Sequence, residues 1–372
     1  MIENGKITAR QFAILVFFFT IGGSVLILPA ELAEHNKQDA WITLIFDIGM
    51  GMGLILLYNA LGSLFPGKNL MEYAEELLGK WLGKAVSLVF VFYFIHSTAV
   101  FLRQIGAFMT IEIMQETPIQ AVHIFFLAVV IMGVRLGLEP ISRVGELLFP
   151  WIFFLFALLS LSVANQIETV KIQPILGKGI EPVIMSSFRF LGNPFLQLSI
   201  FLMVFPYVNR IAGAKKSFLT GTFMGGCFLL VITFLCIAVL GASNTSVHFA
   251  PAYYLAKKIN VGDFFQRVEA LMAGIWFVTI FFKVTICFYA SCLGLAQIFN
   301  LRGYRFLTYP LGIIVVVFSL VLSPNMVHYQ TVVFVHWTAY SLTFGLCFPL
   351  LLLGIAALRK KKAIEQEKAN NS

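Results

Sequence analysis

Apolar residues along this chain do not alternate with polar ones at the two-residue period of a half-buried strand. They run for about twenty residues at a time, the length that crosses a bilayer as a helix. Ten such runs are separated by polar or Pro/Gly breaks, near 11–33, 40–64, 82–114, 119–138, 145–165, 183–209, 217–242, 264–299, 306–323 and 329–358. The pattern predicts an all-α integral membrane protein with ten transmembrane helices. The third and eighth runs are long enough to tilt or to project from the bilayer. Lys6 and Arg10 precede the first run as they would in a signal peptide, but no small-x-small site follows, so it reads as the first membrane helix. The connections are short. The longest are 65–81, with an amphipathic pattern in Leu70, Tyr73, Leu77 and Leu78, and the stretches 166–182 and 243–263. The chain is expected to be one transmembrane domain over 1–372, ending in a basic tail at 359–372.

Composition agrees with that picture. Of 372 residues, 59% are apolar and only 12% charged, too little polar surface to cover a water-soluble globule of this size. The net charge of +8 could suggest nucleic acid, but its distribution points elsewhere. If the N-terminus is cytoplasmic, the inside segments hold seventeen basic residues. These are Lys6, Arg10, Lys68, Lys80, Lys84, Arg135, Arg143, Arg210, Lys215, Lys216, Arg302, Arg305, Arg359, Lys360, Lys361, Lys362 and Lys368. The outside segments hold five: Lys37, Lys171, Lys178, Lys257 and Lys258. Arg103, Arg189, Arg267 and Lys283 fall within or at the ends of runs. This is the positive-inside bias; it places both termini in the cytoplasm and makes membrane lipid, not nucleic acid, the acidic partner. The five cysteines, Cys227, Cys236, Cys287, Cys292 and Cys347, lie in apolar stretches without paired spacing and read as small buried hydrophobes.

Two runs carry interruptions. Gly22-Gly23-Ser24, followed by Pro29, sits mid-run in the first; Gly192-Asn193-Pro194 sits mid-run in the sixth. Gly and Pro also serve ordinary kinks and close packing in membrane helices. The positions favour more than that. Runs one and six open two five-run halves, about 8–165 and 183–358, and an odd number of spans makes the second half insert upside down. Broken helices at matching positions of inverted repeats mark a transporter-type site. Each break would expose the N-terminus of a second half-helix, after Gly23 and after Pro194, where N–H groups and the helix dipole favour a carboxylate. Ser24, Asn193 and Gln197 could add hydrogen bonds, with Phe195, Phe190 and Ile21 as apolar walls.

Lys283 stands alone near the middle of run eight, where an unpaired ammonium in lipid costs about 2.5–3.5 kcal/mol on the lenient scale. It reads as a site cation, holding a substrate carboxylate or standing where ion-coupled relatives bind a metal. The alternative is a structural pair with an acid such as Asp47. Run three offers Arg103, Tyr93, His96 and Ser97; Arg103 lies nearer the boundary and suits a structural pair, and His96 a hydrogen-bonded interior position rather than a proton relay. Gly49, Gly51 and Gly53 suit close helix packing rather than phosphate binding. No set of nucleophile, base and acid, no cofactor motif and no metal-ligand spacing stands out, so an enzyme is not expected.

The sequence resembles the B-subunit family of bacterial spore germination receptors, relatives of the amino acid–polyamine–organocation transporters. The resemblance runs through Thr20-Ile21-Gly22-Gly23 to Leu28-Pro29, Asp39-Ala40-Trp41-Ile42, Gly79-Lys80-Trp81-Leu82-Gly83, Thr117-Pro118-Ile119-Gln120, Gly137-Leu138-Glu139 with Arg143, Pro174-Ile175-Leu176-Gly177 and Phe205-Pro206. It implies a LeuT-like ten-helix, five-plus-five inverted-repeat fold with helices one and six broken. It also implies a nutrient-sensing subunit in the spore inner membrane, partnered by an A-type membrane subunit and a C-type lipoprotein. In this family an amino acid or sugar germinant binds at the unwound helices, which here points to Gly22, Gly23, Ser24, Tyr93, Ser97, Asn193, Phe195 and Lys283, with Gln197 in the sixth-helix break. The competing reading is a secondary amino acid transporter, with or without proton coupling, that uses the same pocket for alternating access.

Overall fold

A computed structural model describes residue 3 and residues 5–258, 268–323, 328–329 and 335–370, with backbone only for 335 and 360–370. The first part of run eight with Arg267, the end of the 243–263 connection and residues 330–334 of run ten lie outside the described residues.

The helices, in chain order, are α1 (Ala9–Ile21), α2 (Ser24–Asn36), α3 (Ala40–Leu64), α4 (Leu70–Leu78), α5 (Lys80–Phe108), α6 (Ile119–Leu136), α7 (Leu138–Val163) and α8 (Glu181–Phe190). After a 3₁₀ helix over Leu196–Met203 come α9 (Ile211–Leu235), α10 (Ala242–Val247), α11 (Pro251–Lys257), α12 (Glu269–Ile298), α13 (Thr308–Leu322), α14 (Val335–Leu342) and α15 (Phe348–Asn370). Local chemistry sets several starts. Thr8 and Gln11 form a capping box at α1, and Asn69 and Glu72 form another at α4. Gly79 and Gly137 take positive φ, which lets α5 and α7 follow directly on the preceding helix. Helix α4 buries Leu70, Tyr73 and Leu77, the apolar stripe of the 65–81 connection.

Eight helical stretches among the described residues are long and apolar enough to cross a membrane, one of them the joined stretch Ser24–Leu64. Large apolar side chains such as Phe125, Leu147, Trp151, Phe154, Ile313 and Val321 face outward. Such an exposed apolar belt would aggregate in water and is at home in lipid, so this is an integral membrane protein. Within it, α1 packs on α9, α12 on α5 and α3 on α9, with α6, α7 and α13 further out. Small residues allow that closeness: a Cβ at Gly225 would come 2.7 Å from Thr20 Cβ, and Gly221 lies against the Ala13 carbonyl.

The structure alters some expectations. The sixth run is not one helix with a kink. It is the ten-residue α8, a turn over 191–195, and a 3₁₀ helix in place of the expected second α-helix, because Pro194 supplies no N–H and the glycine and asparagine before it favour a turn. Of Gly49, Gly51 and Gly53, only Gly51 meets a neighbour, the Phe195 ring; the other two face open space. Cys236, Cys287 and Cys292 are buried, but Cys227 is half-buried and Cys347 exposed, as apolar positions on the lipid side of a helix can be.

Candidate functional site

At the first interruption the helix stops at Ile21, Gly22 N–H still donates to Phe18 O (2.9 Å), and α2 begins at once with Gly23 at its N-cap. No side chain caps α2, so the orphan N–H groups of its first turn are open. Two carbonyls at the break are met from other helices. Gln104 Nε2 of α5 donates to Gly23 O (2.8 Å), and Thr279 Oγ1 of α12 approaches Gly22 O at 3.5 Å. Gly22 has to be glycine, since a Cβ there would lie 2.6 Å from Lys283 Cδ and 2.9 Å from its Cβ.

At the second interruption the chain relies on local bonds: Asn193 N–H to Phe190 O (3.4 Å) and Leu196 N–H to Leu191 O (3.2 Å). Donors also arrive from afar: Thr338 Oγ1 of α14 donates to Arg189 O, Tyr58 Oη of α3 lies 3.2 Å from Leu196 O, and α12 adds a third. Lys283 Nζ donates to Asn193 O at 3.4 Å. Its ammonium lies 4.6 Å from the centre of the Phe101 ring and 5.1 Å from that of Phe19. Ring faces attract a desolvated cation by up to about 2 kcal/mol. Lys283 is thus fully buried, leans on the first break and is bonded to the second. The expected alternative of a pair with Asp47 is corrected: no ion pair joins them, and neither Asp47 oxygen has a hydrogen-bond partner.

Beside these breaks lies a cavity lined by Ile27 of α2, Val100, Phe101 and Gln104 of α5, Asn193, Tyr329 and Trp337 of α14. Its free space, about 10 Å³, is that of one water. The walls are mostly aromatic and aliphatic, with two amides to orient a guest and an ammonium behind Asn193.

Of the residues singled out in the sequence, Gly22, Gly23, Asn193 and Lys283 come together here, and Asn193 lines the cavity itself. Ser24 is buried at the start of α2 with its hydroxyl unpartnered. Tyr93 and Ser97 do not line the cavity. Tyr93 stacks on Phe344 (4.3 Å) with its hydroxyl 3.3 Å from Ser341 Oγ, and Ser97 donates to Tyr93 O (2.8 Å). Phe195 turns away against Gly51, and Gln197 is buried with both polar side-chain atoms unpartnered. Phe190 packs on His35. Arg103 Nε donates to Ser323 O (2.8 Å). His96 stacks on Trp337 (5.7 Å) with its Nδ1 unpartnered, where a hydrogen-bonded interior histidine is expected. Gln104, Phe101, Thr279 and Trp337 belong to the site and were not singled out; an amide at 104 inside an apolar run is the one signal that could have pointed there. Among the described residues no group of three or more His, Cys, Asp or Glu side chains could hold a metal ion.

A membrane bundle with a cavity beside two broken segments has the architecture of solute transporters. The chain superposes on a Na⁺-coupled sialic acid symporter with a TM-score of 0.64 at 11% identity, covering 94% of this chain and 78% of that one, a likeness of fold alone. The sequence narrows the class. Residues 6–327 match the model of a family described as "Spore germination protein", and the chain belongs to that family. It is similar to Spore germination protein KB of Bacillus subtilis (strain 168), 29% identical over 100% of this chain and 99% of that protein. It is also similar to Spore germination protein YndE of the same organism, 26% identical over 96% of this chain and 98% of that protein.

Proposed function

We propose that this chain is the nutrient-sensing subunit of a spore germination receptor, binding a small germinant in the cavity between the two breaks. In this reading the breaks belong to helices one and six of a ten-helix, five-plus-five inverted repeat, with both termini cytoplasmic. The observation that carries it is Lys283, a buried cation that touches both breaks and is bonded to a backbone carbonyl beside a cavity with two amides in its wall. Chemically, an ammonium, two amides and aromatic walls suit a small solute with an anionic end and an apolar body, such as an amino acid. The cavity as it stands holds one water, so a germinant must part α2 or α14 from α5 to enter. Binding and shape change are then one event, as a sensor requires. An A-type membrane subunit and a C-type lipoprotein in the spore inner membrane would receive that change.

The test is germination of spores lacking this gene against a panel of amino acids, sugars and ions, with the gene restored as wild type or as Lys283→Ala. Loss of a charge-assisted bond of about 1.5–3 kcal/mol should raise the required concentration about tenfold or more. An unchanged dose response with the variant present in normal amount would remove Lys283 from the site. Normal germination of the deletion strain, with uptake of a labelled solute lost in growing cells, would make the chain a secondary transporter instead.

A further inference from the structure

Asp47 lies in the first third of α3, fully buried, and both its carboxyl oxygens lack a hydrogen-bond partner. Its neighbours on the same stripe place it. One turn before, Thr43 O accepts from Ser187 Oγ of α8 (3.3 Å), and Thr43 Oγ1 accepts from Asn36 Nδ2 of α2 (2.6 Å). One turn after, Gly51 is pressed by the Phe195 ring. Asp47 therefore stands in the wall of the second break, on the side away from the cavity.

Among the described residues no charge on the elements packed on α3 pairs with it. Helix α2 carries Glu31, whose carboxyl oxygens also lack a hydrogen-bond partner, and Glu34 and His35, and the turn after it carries Lys37 and Asp39, the latter accepting from Leu176 N–H. Helix α8 carries Glu181 and an exposed Arg189. Helix α9 carries Lys215 and Lys216, beside Asn59 three turns away, and the thiol of Cys227. Arg359 of α15 reaches Glu76 O instead, and the 3₁₀ helix over Leu196–Met203 has no charged residue. None of these forms an ion pair or hydrogen bond with Asp47.

A bare carboxylate in such a place costs several kcal/mol, so its charge has to be cancelled. Among the described residues Asp47 belongs to no group of three or more His, Cys, Asp or Glu side chains that could hold a metal ion. We propose that Asp47 is a proton-binding site that couples the second break to pH. In the closed form described here the carboxyl keeps its proton. When the turn over 191–195 lifts Phe195 from Gly51 and admits water, the O–H bond breaks, the proton passes to water and the carboxylate is left hydrated. Acid then favours the closed form, and the closed-to-open ratio falls by at most about tenfold per pH unit, the limit for one linked proton. The inference stands whether or not the cavity binds a nutrient.

The experiment is infrared spectroscopy of the full chain in lipid nanodiscs at neutral pH. The chain has only three aspartates, Asp39, Asp47 and Asp263, so carbon-13 labelling of aspartate separates their bands from those of glutamate. The wild type should show the carbonyl band of a protonated carboxylic acid that shifts with the label and is missing in Asp47→Asn. The wild-type melting temperature should fall between pH 6 and pH 9, and that of Asp47→Asn, which mimics the protonated acid, should fall less. No label-sensitive acid band in the wild type overturns the proposal without needing any variant. A band that appears only when sodium and potassium are withdrawn also overturns it and makes Asp47 a metal-cation site.

Discussion

The two interruptions meet one demand, partners for backbone groups that a helix no longer satisfies, in different ways. The first is only two residues wide and has α-helix on both sides, so the Gly22 and Gly23 carbonyls sit where α12 and α5 can bring side-chain donors to them. The second is a five-residue turn followed by a 3₁₀ helix, whose hydrogen bonds have poorer geometry, and bonds within the turn share the task with donors from α12 and α14. A break held by distant helices is rigid because moving it means moving them. One held by its own turn can yield alone. Lys283 is the link between the two, packed on the first and bonded to the second.

Glycine substitutions test that contrast most severely. Gly22→Ala forces a methyl into Lys283 Cβ and Cδ, and Gly192→Ala forces one to within 2.7 Å of Thr338 Cα, so both are tight on geometry alone. Overpacking of this kind costs about 1–3 kcal/mol. If the first break is the rigid one, Gly22→Ala should fall near the upper end and Gly192→Ala clearly below it in thermal unfolding of the purified protein. Equal losses would mean that both breaks are equally fixed.

A smaller loss is expected from Gln104→Leu, which keeps the volume but removes the side-chain donor to the Gly23 carbonyl. About 0.5–1.5 kcal/mol is the usual net worth of one such hydrogen bond. No change in melting temperature would show that the first break is held by its own backbone after all. The smallest effect belongs to Asn193→Ala. Lys283 uses the main-chain carbonyl of Asn193, which alanine retains, so stability should change by no more than about 0.5 kcal/mol. A larger drop would mean that the Asn193 side chain holds the turn, and the second break would then resemble the first.

Much of this was legible in the residue order. Long apolar runs fixed the membrane helices because hydrocarbon tolerates no unpaired backbone, and Gly-Gly and Gly-Asn-Pro fixed the breaks because those residues end helices in any surroundings. The isolation of Lys283 in an apolar run marked it for the interior, where it lies. The α4 stripe was readable for the same reason, since its period of burial is local to nine residues.

What the sequence could not assign was direction. Tyr93 and Gln104 sit on one helix, and nothing local says that the first faces Phe344 while the second reaches Gly23. Phe195 lies within a break yet points at Gly51, because the open space for a ring is on α3 and not in the cavity. Nor could sequence choose between Asp47 and a backbone carbonyl as the partner of Lys283. The order of residues alone determined that this chain spans a membrane, where its helices fail and which charge is stranded inside, since each follows from solvation and backbone hydrogen bonding within one segment. Only the tertiary structure decided which side chains meet at the breaks, because that depends on how helices far apart in sequence are turned toward one another.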